Sequence, residues 1–155
     1  MSSGAVDAFD LRSTKVSETD RFKVGVKRGA GPDPGYHWSV AIIDFVYEES
    51  LPLLTEAGYA HMSLQMRELA KQEDPTHSDL IDIQTIDDFH EIRDHGSPFG
   101  GRNVRLFFGV DKGNRVLIPL GVIIKQNNGP TPLGDRIRMG RRWRNYRRGD
   151  YGALP

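Results

Sequence analysis

Seven arginines crowd into the fifteen residues from Asp135 to Gly149, "DRIRMGRRWRNYRRG": Arg136, Arg138, Arg141, Arg142, Arg144, Arg147 and Arg148. A guanidinium matches phosphate through two parallel hydrogen bonds. Aromatic rings interleaved with such groups can stack on bases. Arg138, Arg141, Arg142, Arg144, Tyr146 and Arg147 are therefore candidate RNA contacts. Seven arginines wrap most of a helix, so that helix is solvated or lies along a polyanion or an acidic partner. Trp143 and Tyr146 share a stripe with Met139 that also fits packing against a sheet, with the arginines still outward. Proton transfer near neutral pH calls first for histidine. His90 and His95 flank Arg93 and are the best-placed of the five. His37, His61 and His77 share no ligand spacing and the chain has no cysteine, so neither a metal site nor a cofactor is expected.

The net charge of zero conceals a division. Residues 1–100 carry 9 basic and 18 acidic side chains, a net of −9, and residues 101–155 carry 12 and 3, a net of +9. A local field of this kind draws phosphate even at a neutral isoelectric point. The alternative is that the two halves neutralise each other across the fold. At 155 residues the chain suits one domain with a short appendage. No apolar run approaches the ~20 residues of a membrane span, and no secretory signal is visible, so a cytoplasmic protein is expected.

The elements that must position these groups follow from periodicity. Residues 1–21 read as a mobile arm. "FKVGVK" (22–27) alternates like a strand, "RGAGPDPG" (28–35) is a loop of breakers, and "HWSVAIIDFVYE" (37–48) is β-branched and aromatic, hence a strand. Residues 50–72 have helical spacing, with Ser50 as cap and Gly58 as a break, giving one helix or two short ones. "LIDIQTI" (80–86) and "DFHEIRD" (88–94) alternate, and in the latter Phe89, Glu91 and Arg93 share one side. "NVRLFFGV" (103–110), the turn "DKGN" and "RVLIPLGVIIK" (115–125) form a hairpin, in which Pro119 calls for a bulge or an edge. Thr131 and Pro132 can open a last helix from Leu133 to about Arg148. The class is α+β: a small twisted antiparallel sheet with helices on one face, plus an N-terminal extension.

That ordered set resembles the RelE/HigB superfamily of bacterial toxins, nearest the phage-derived host-killing branch. The segments that carry the likeness are "FHEIRD" (89–94), "NVRLFFGVDKGNRVLIPLGVIIKQ" (103–126) and "TPLGDRIRMGRRWRNY" (131–146), within a toxin domain over 36–150 preceded by an extension over 1–35, partly disordered or an added strand. The resemblance implies a type II toxin that cleaves messenger RNA on the ribosome, silenced by a cognate antitoxin, often of helix-turn-helix type. A sister branch poisons DNA gyrase. By position in the family pattern, Arg93, Arg105 and Lys125 would surround the scissile phosphate. A non-catalytic binder of the same fold is the alternative.

RNA cleavage without a metal uses the substrate's own 2′-OH as nucleophile. It needs a base, cations for the phosphoryl charge, and an acid for the leaving 5′-oxygen. On the carried-over reading, Arg105 and Lys125 face each other on neighbouring strands, Arg93 joins them, and His90 is the candidate base. His95 and Tyr146 are further candidates. Glu91 or Asp94 could instead neutralise Arg93.

Overall fold

Alternation along the chain becomes a six-stranded sheet whose strands stand in the order β1-β2-β6-β5-β4-β3. It is seen in a computed structural model that describes residues 26–28 and 35–150. The strands are β1 (Val26–Arg28), β2 (Ser39–Ile43), β3 (Asp82–Ile86), β4 (Phe89–Asp94), β5 (Asn103–Asp111) and β6 (Val116–Lys125). Among the described residues three helices accompany them: α1 (Asp44–Ser50), α2 (Glu56–Ala70) and α3 (Leu133–Arg147). The fold is α+β, as the order of elements predicts. The arm over 1–21, most of the strand over 22–27 and the breaker loop over 29–34 lie outside the described residues.

Strands β3 to β6 form an antiparallel meander. One pair departs from the antiparallel pattern: β2 runs parallel to β6, with Ser39 opposite Val116 and Val40 opposite Leu117. The parallel pairing is available because two helices and three strands separate β2 from β6, ample chain for a crossover.

The expected strand over 37–48 ends early. After Ile43 the chain turns into α1, whose buried residues Val46, Tyr47 and Ser50 have helical spacing. β-branched and aromatic residues tolerate a helix when tertiary burial rewards that face. Ser50 therefore ends a helix instead of capping one, and its hydroxyl donates to the Tyr47 carbonyl at 2.7 Å. The cap of α2 is Thr55, which accepts from the Gly58 amide.

Helices cover both faces of the sheet, where one covered face was expected. Met62 and Met66 of α2 pack on the side of Leu106 and Val122. On the other side lie Gly109 of β5 and Gly121 of β6. A Cβ at Gly109 would stand 2.3 Å from the Trp143 ring, and one at Gly121 2.5 Å from the Met139 side chain. The two missing side chains are what let α3 settle onto the strands.

Pro119 sits at a bulge in an interior strand, since Phe107 pairs with Gly121 but Phe108 pairs with Pro119. Leu120 is the extra residue. Its carbonyl accepts from Arg142 of α3 at 2.8 Å, so the irregularity forced by proline also anchors the basic helix.

Candidate functional site

The ends of β3, β4 and β5 open into a cleft of about 440 Å³, lined by Gln65, Asp82, Arg93, Asp94, Arg105 and Asn128 among others. Cross-strand pairing accounts for its floor: Asp82 lies opposite Arg93, and Arg93 opposite Arg105. Two guanidinium groups on adjacent strands would repel. They are reconciled by Glu91, two residues before Arg93 on the same face and fully buried.

Glu91 accepts from Arg93 Nε at 2.6 Å, and its second oxygen accepts from the Thr131 hydroxyl. Arg105 Nη1 lies 3.8 Å from the same carboxylate. Arg105 is only 2% exposed. It donates to Thr131 Oγ1 at 3.0 Å and to the Gly129 carbonyl at 2.6 Å. Burial lowers its pKa, Glu91 opposes that shift, and Arg93 adds to it. Arg105 thus straps the 126–132 loop to the sheet. Thr131, expected to cap α3, leaves that place to Pro132 and gives its hydroxyl to the strap instead.

The expected hollow of Arg105 and Lys125 with no carboxylate between is corrected on two counts. Arg105 stands opposite Ile123, and Lys125 opposite Asn103, so the two are diagonal neighbours on one face. Glu91, not open space, sits beside Arg105. Lys125 is half-buried and meets no carboxylate among the described residues. Arg93 is the more available arginine: its side chain is 32% exposed. Its Nε is held by Glu91, and its two terminal nitrogens have no partner among the described residues.

His90 does not belong with these groups. It lies toward the other end of β4 and on the opposite face, its Nδ1 3.1 Å from Thr85 Oγ1 and its ring 5.4 Å from Phe108. Burial lowers its pKa, against the pull of Asp74 and Asp88 and with the help of Lys112. His95 lines the cleft and is exposed.

On α3 the arginines divide. Arg142 is buried: it forks onto Glu49 with two contacts of 2.8 Å and lies over the Phe45 ring. Tyr146 is fully buried, donates to Asp111 at 2.7 Å and stacks on Trp143. Neither can reach RNA, which corrects their place among the candidate contacts; both aromatics anchor the helix. Arg138 is shared between Asp135 and Glu49, and Arg147 pairs with Asp88 at 2.7 Å. Arg141 and Arg144 remain exposed without an ion pair among the described residues.

Several groups escape a reading of the sequence. Glu49 is one of two adjacent glutamates, and nothing local marks it as the partner of a residue 93 positions later. His61 and Asp94 meet at 2.9 Å across 33 residues. For Glu91 a signal exists, since strand alternation puts it on the side of Phe89. Among the described residues no helix is long and apolar enough to cross a membrane. No protein-family model, curated protein or solved structure matches the chain.

Proposed function

We propose that this chain is a RelE/HigB-like toxin domain that binds messenger RNA through its phosphates and cleaves it on the ribosome without a metal, held in check by a small helix-turn-helix antitoxin in the cytoplasm. One observation carries the reading. Arg93 is held at Nε by a buried carboxylate, which leaves the outer edge of its fork turned to no protein group at the cleft. A fork fixed in this way has lost its side-chain freedom before the ligand arrives, which strengthens a bidentate phosphate contact. In this reading Arg93 carries the phosphoryl charge, and Lys125, two strands away on the same face, adds a second cation. Arg105 is a positioning residue that acts through Glu91. Arg141 and Arg144 add contacts that hold RNA without reading its sequence.

A second reading, a binder of the same fold that does not cut, is favoured by the saturation of Arg105. A guanidinium committed to Thr131, Gly129 and Glu91 has little left for a transition state. Purified protein in a translating extract separates the two. Discrete mRNA cuts are expected, lost by roughly 10²–10³-fold in Arg93→Ala, whereas Arg105→Ala should lower the melting temperature first. Intact mRNA with RNA binding retained, or gyrase-dependent DNA breaks, would replace the first reading by the second.

A further inference from the structure

The cleft holds an open anion beside its cations. We infer that Asp82 makes the cleft selective for guanine next to the phosphate that Arg93 holds; this rests on the phosphate-binding reading above, whether or not the RNA is cut.

Strand pairing puts the carboxylate at the phosphate site. Asp82 of β3 lies directly opposite Arg93 of β4, and Arg93 opposite Arg105 of β5. Directly opposed residues project from the same face, with Cβ atoms about 4.5–5.5 Å apart. All three line the cleft. Burial lowers the Arg105 pKa, and the Asp82 charge is among those that oppose it, so this carboxylate acts across two strands. Yet no ion pair joins Asp82 to either arginine among the described residues. Gln84, two residues on along the same face, donates to Oδ1 at 3.0 Å and steadies the carboxylate. Oδ2 has no partner among the described residues, and Oδ1 keeps a second lone pair.

Arg93 does not need Asp82 as a counter-charge, because Glu91 already accepts from its Nε at 2.6 Å. An unpaired carboxylate beside a phosphate site favours a ligand that brings donors along with its anion. A nucleotide carries an anion, a flat ring with apolar faces, and a polar edge. The cleft has a counterpart for each. The terminal nitrogens of Arg93 suit the phosphate. Leu80, 93% exposed and lining the same cleft, suits the face of the ring. Asp82 suits the edge, which single-stranded RNA leaves open to be read.

The choice of base follows from an ionised carboxylate being acceptor only. Guanine sets two donors side by side, N1–H and N2–H, against the two oxygens. Adenine and cytosine place a ring-nitrogen lone pair beside their one amino group. Uracil flanks its single N–H with two carbonyls. Each of these three turns a lone pair toward the carboxylate.

The test is binding of 2′-O-methyl pentamers at low salt, with melting temperature measured alongside. Such RNA has no 2′ proton to lose, so it stays intact. The set is UUGUU, UUAUU, UUCUU, UUUUU and UUIUU, in which inosine keeps N1–H and lacks the amino group. Wild-type protein should bind UUGUU roughly 5–10-fold more tightly than the adenine, cytosine and all-uracil members, with UUIUU between. Asp82 is exposed on an edge strand, so Asp82→Asn should melt with the wild type. It should bring these ratios close to one without weakening UUUUU, since it removes a negative charge from beside the phosphate. If Asp82 only balances charge, the substitution raises affinity for every pentamer alike and leaves the ratios unchanged. That result, equal binding by the wild-type protein, or a preference for another base overturns the assignment of Asp82 alone. Pentamers that fail to bind, or that bind Arg93→Ala as well as wild type, overturn the phosphate reading and this inference with it.

Discussion

Arg105 and Arg142 are the two most deeply buried arginines described, at 2% and 3% exposure, and they are held differently. Arg105 leans on Glu91, itself sealed from water, and on a hydroxyl and a carbonyl of the 126–132 loop. Arg142 reaches outward to Glu49, which is 31% exposed, and inward to the carbonyl freed at the Leu120 bulge. Coulomb attraction is screened less where both partners are dry, and so is the cost of leaving one unpaired. The first pair is therefore an all-or-nothing joint beneath the cleft. The second is a joint away from the cleft, open to water on the Glu49 side.

Removing each carboxylate separates the two cases. Glu91→Leu leaves Arg105 buried without a counter-charge and should cost about 3–5 kcal/mol, read from denaturant unfolding. It should also release Arg93, so phosphate affinity falls even where the protein stays folded. Glu49→Leu deprives Arg142 of two hydrogen bonds but leaves the Leu120 carbonyl and access to water, so about 1.5–3 kcal/mol is expected. Equal losses would mean that exposure of the partner does not separate the joints.

Acid sharpens the contrast. The hydrogen bond from Arg142 lowers the Glu49 pKa, burial opposes it, and the charges of Arg142 and Arg138 add to the lowering. A carboxyl with a lower pKa folded than unfolded stabilises the fold above its unfolded value, near 4.3. That contribution fades as pH falls through the folded value. Asp94 is lowered too and behaves alike. Thermal melts from pH 6 down to 3 should show stability lost below about pH 4, with a smaller loss in Glu49→Leu. An acid limb unchanged by that substitution would remove Glu49 from the account.

What the sequence discloses, and what it hides, follows the reach of each interaction. The β5–β6 hairpin, the bulge at Pro119 and the span of α3 are local, written in alternation, in a missing amide hydrogen and in helical spacing. The split of residues 37–48 into β2 and α1 is not, because Val46 and Tyr47 suit either state until the core chooses. Arg141 and Arg142 are chemically the same in sequence. They differ by a turn of about 100° along α3, which sends one to solvent and the other to Glu49. The floor of the cleft is legible as an alternation that sets Phe89, Glu91 and Arg93 together. Its closure by Thr131, and the meeting of His61 with Asp94, depend on elements that chain order alone does not bring near.

Arg138 gives the finest probe of the Arg142–Glu49 joint. It lies 3.5 Å from the Glu49 carboxylate that Arg142 grips at 2.8 Å, and it is itself 32% exposed. Exposed pairs at such distances contribute roughly 0.2–1 kcal/mol and are screened by salt. Arg138→Ala should cost that little, and less still at high ionic strength. In Glu49→Leu the same substitution should cost nothing further from this contact. What remains would be its bond to Asp135, three residues earlier on α3. A coupling well above 1 kcal/mol between Arg138 and Glu49 in the double-mutant cycle would show the Glu49 joint to be as dry as the cleft floor. The distinction between the two buried arginines would then fall.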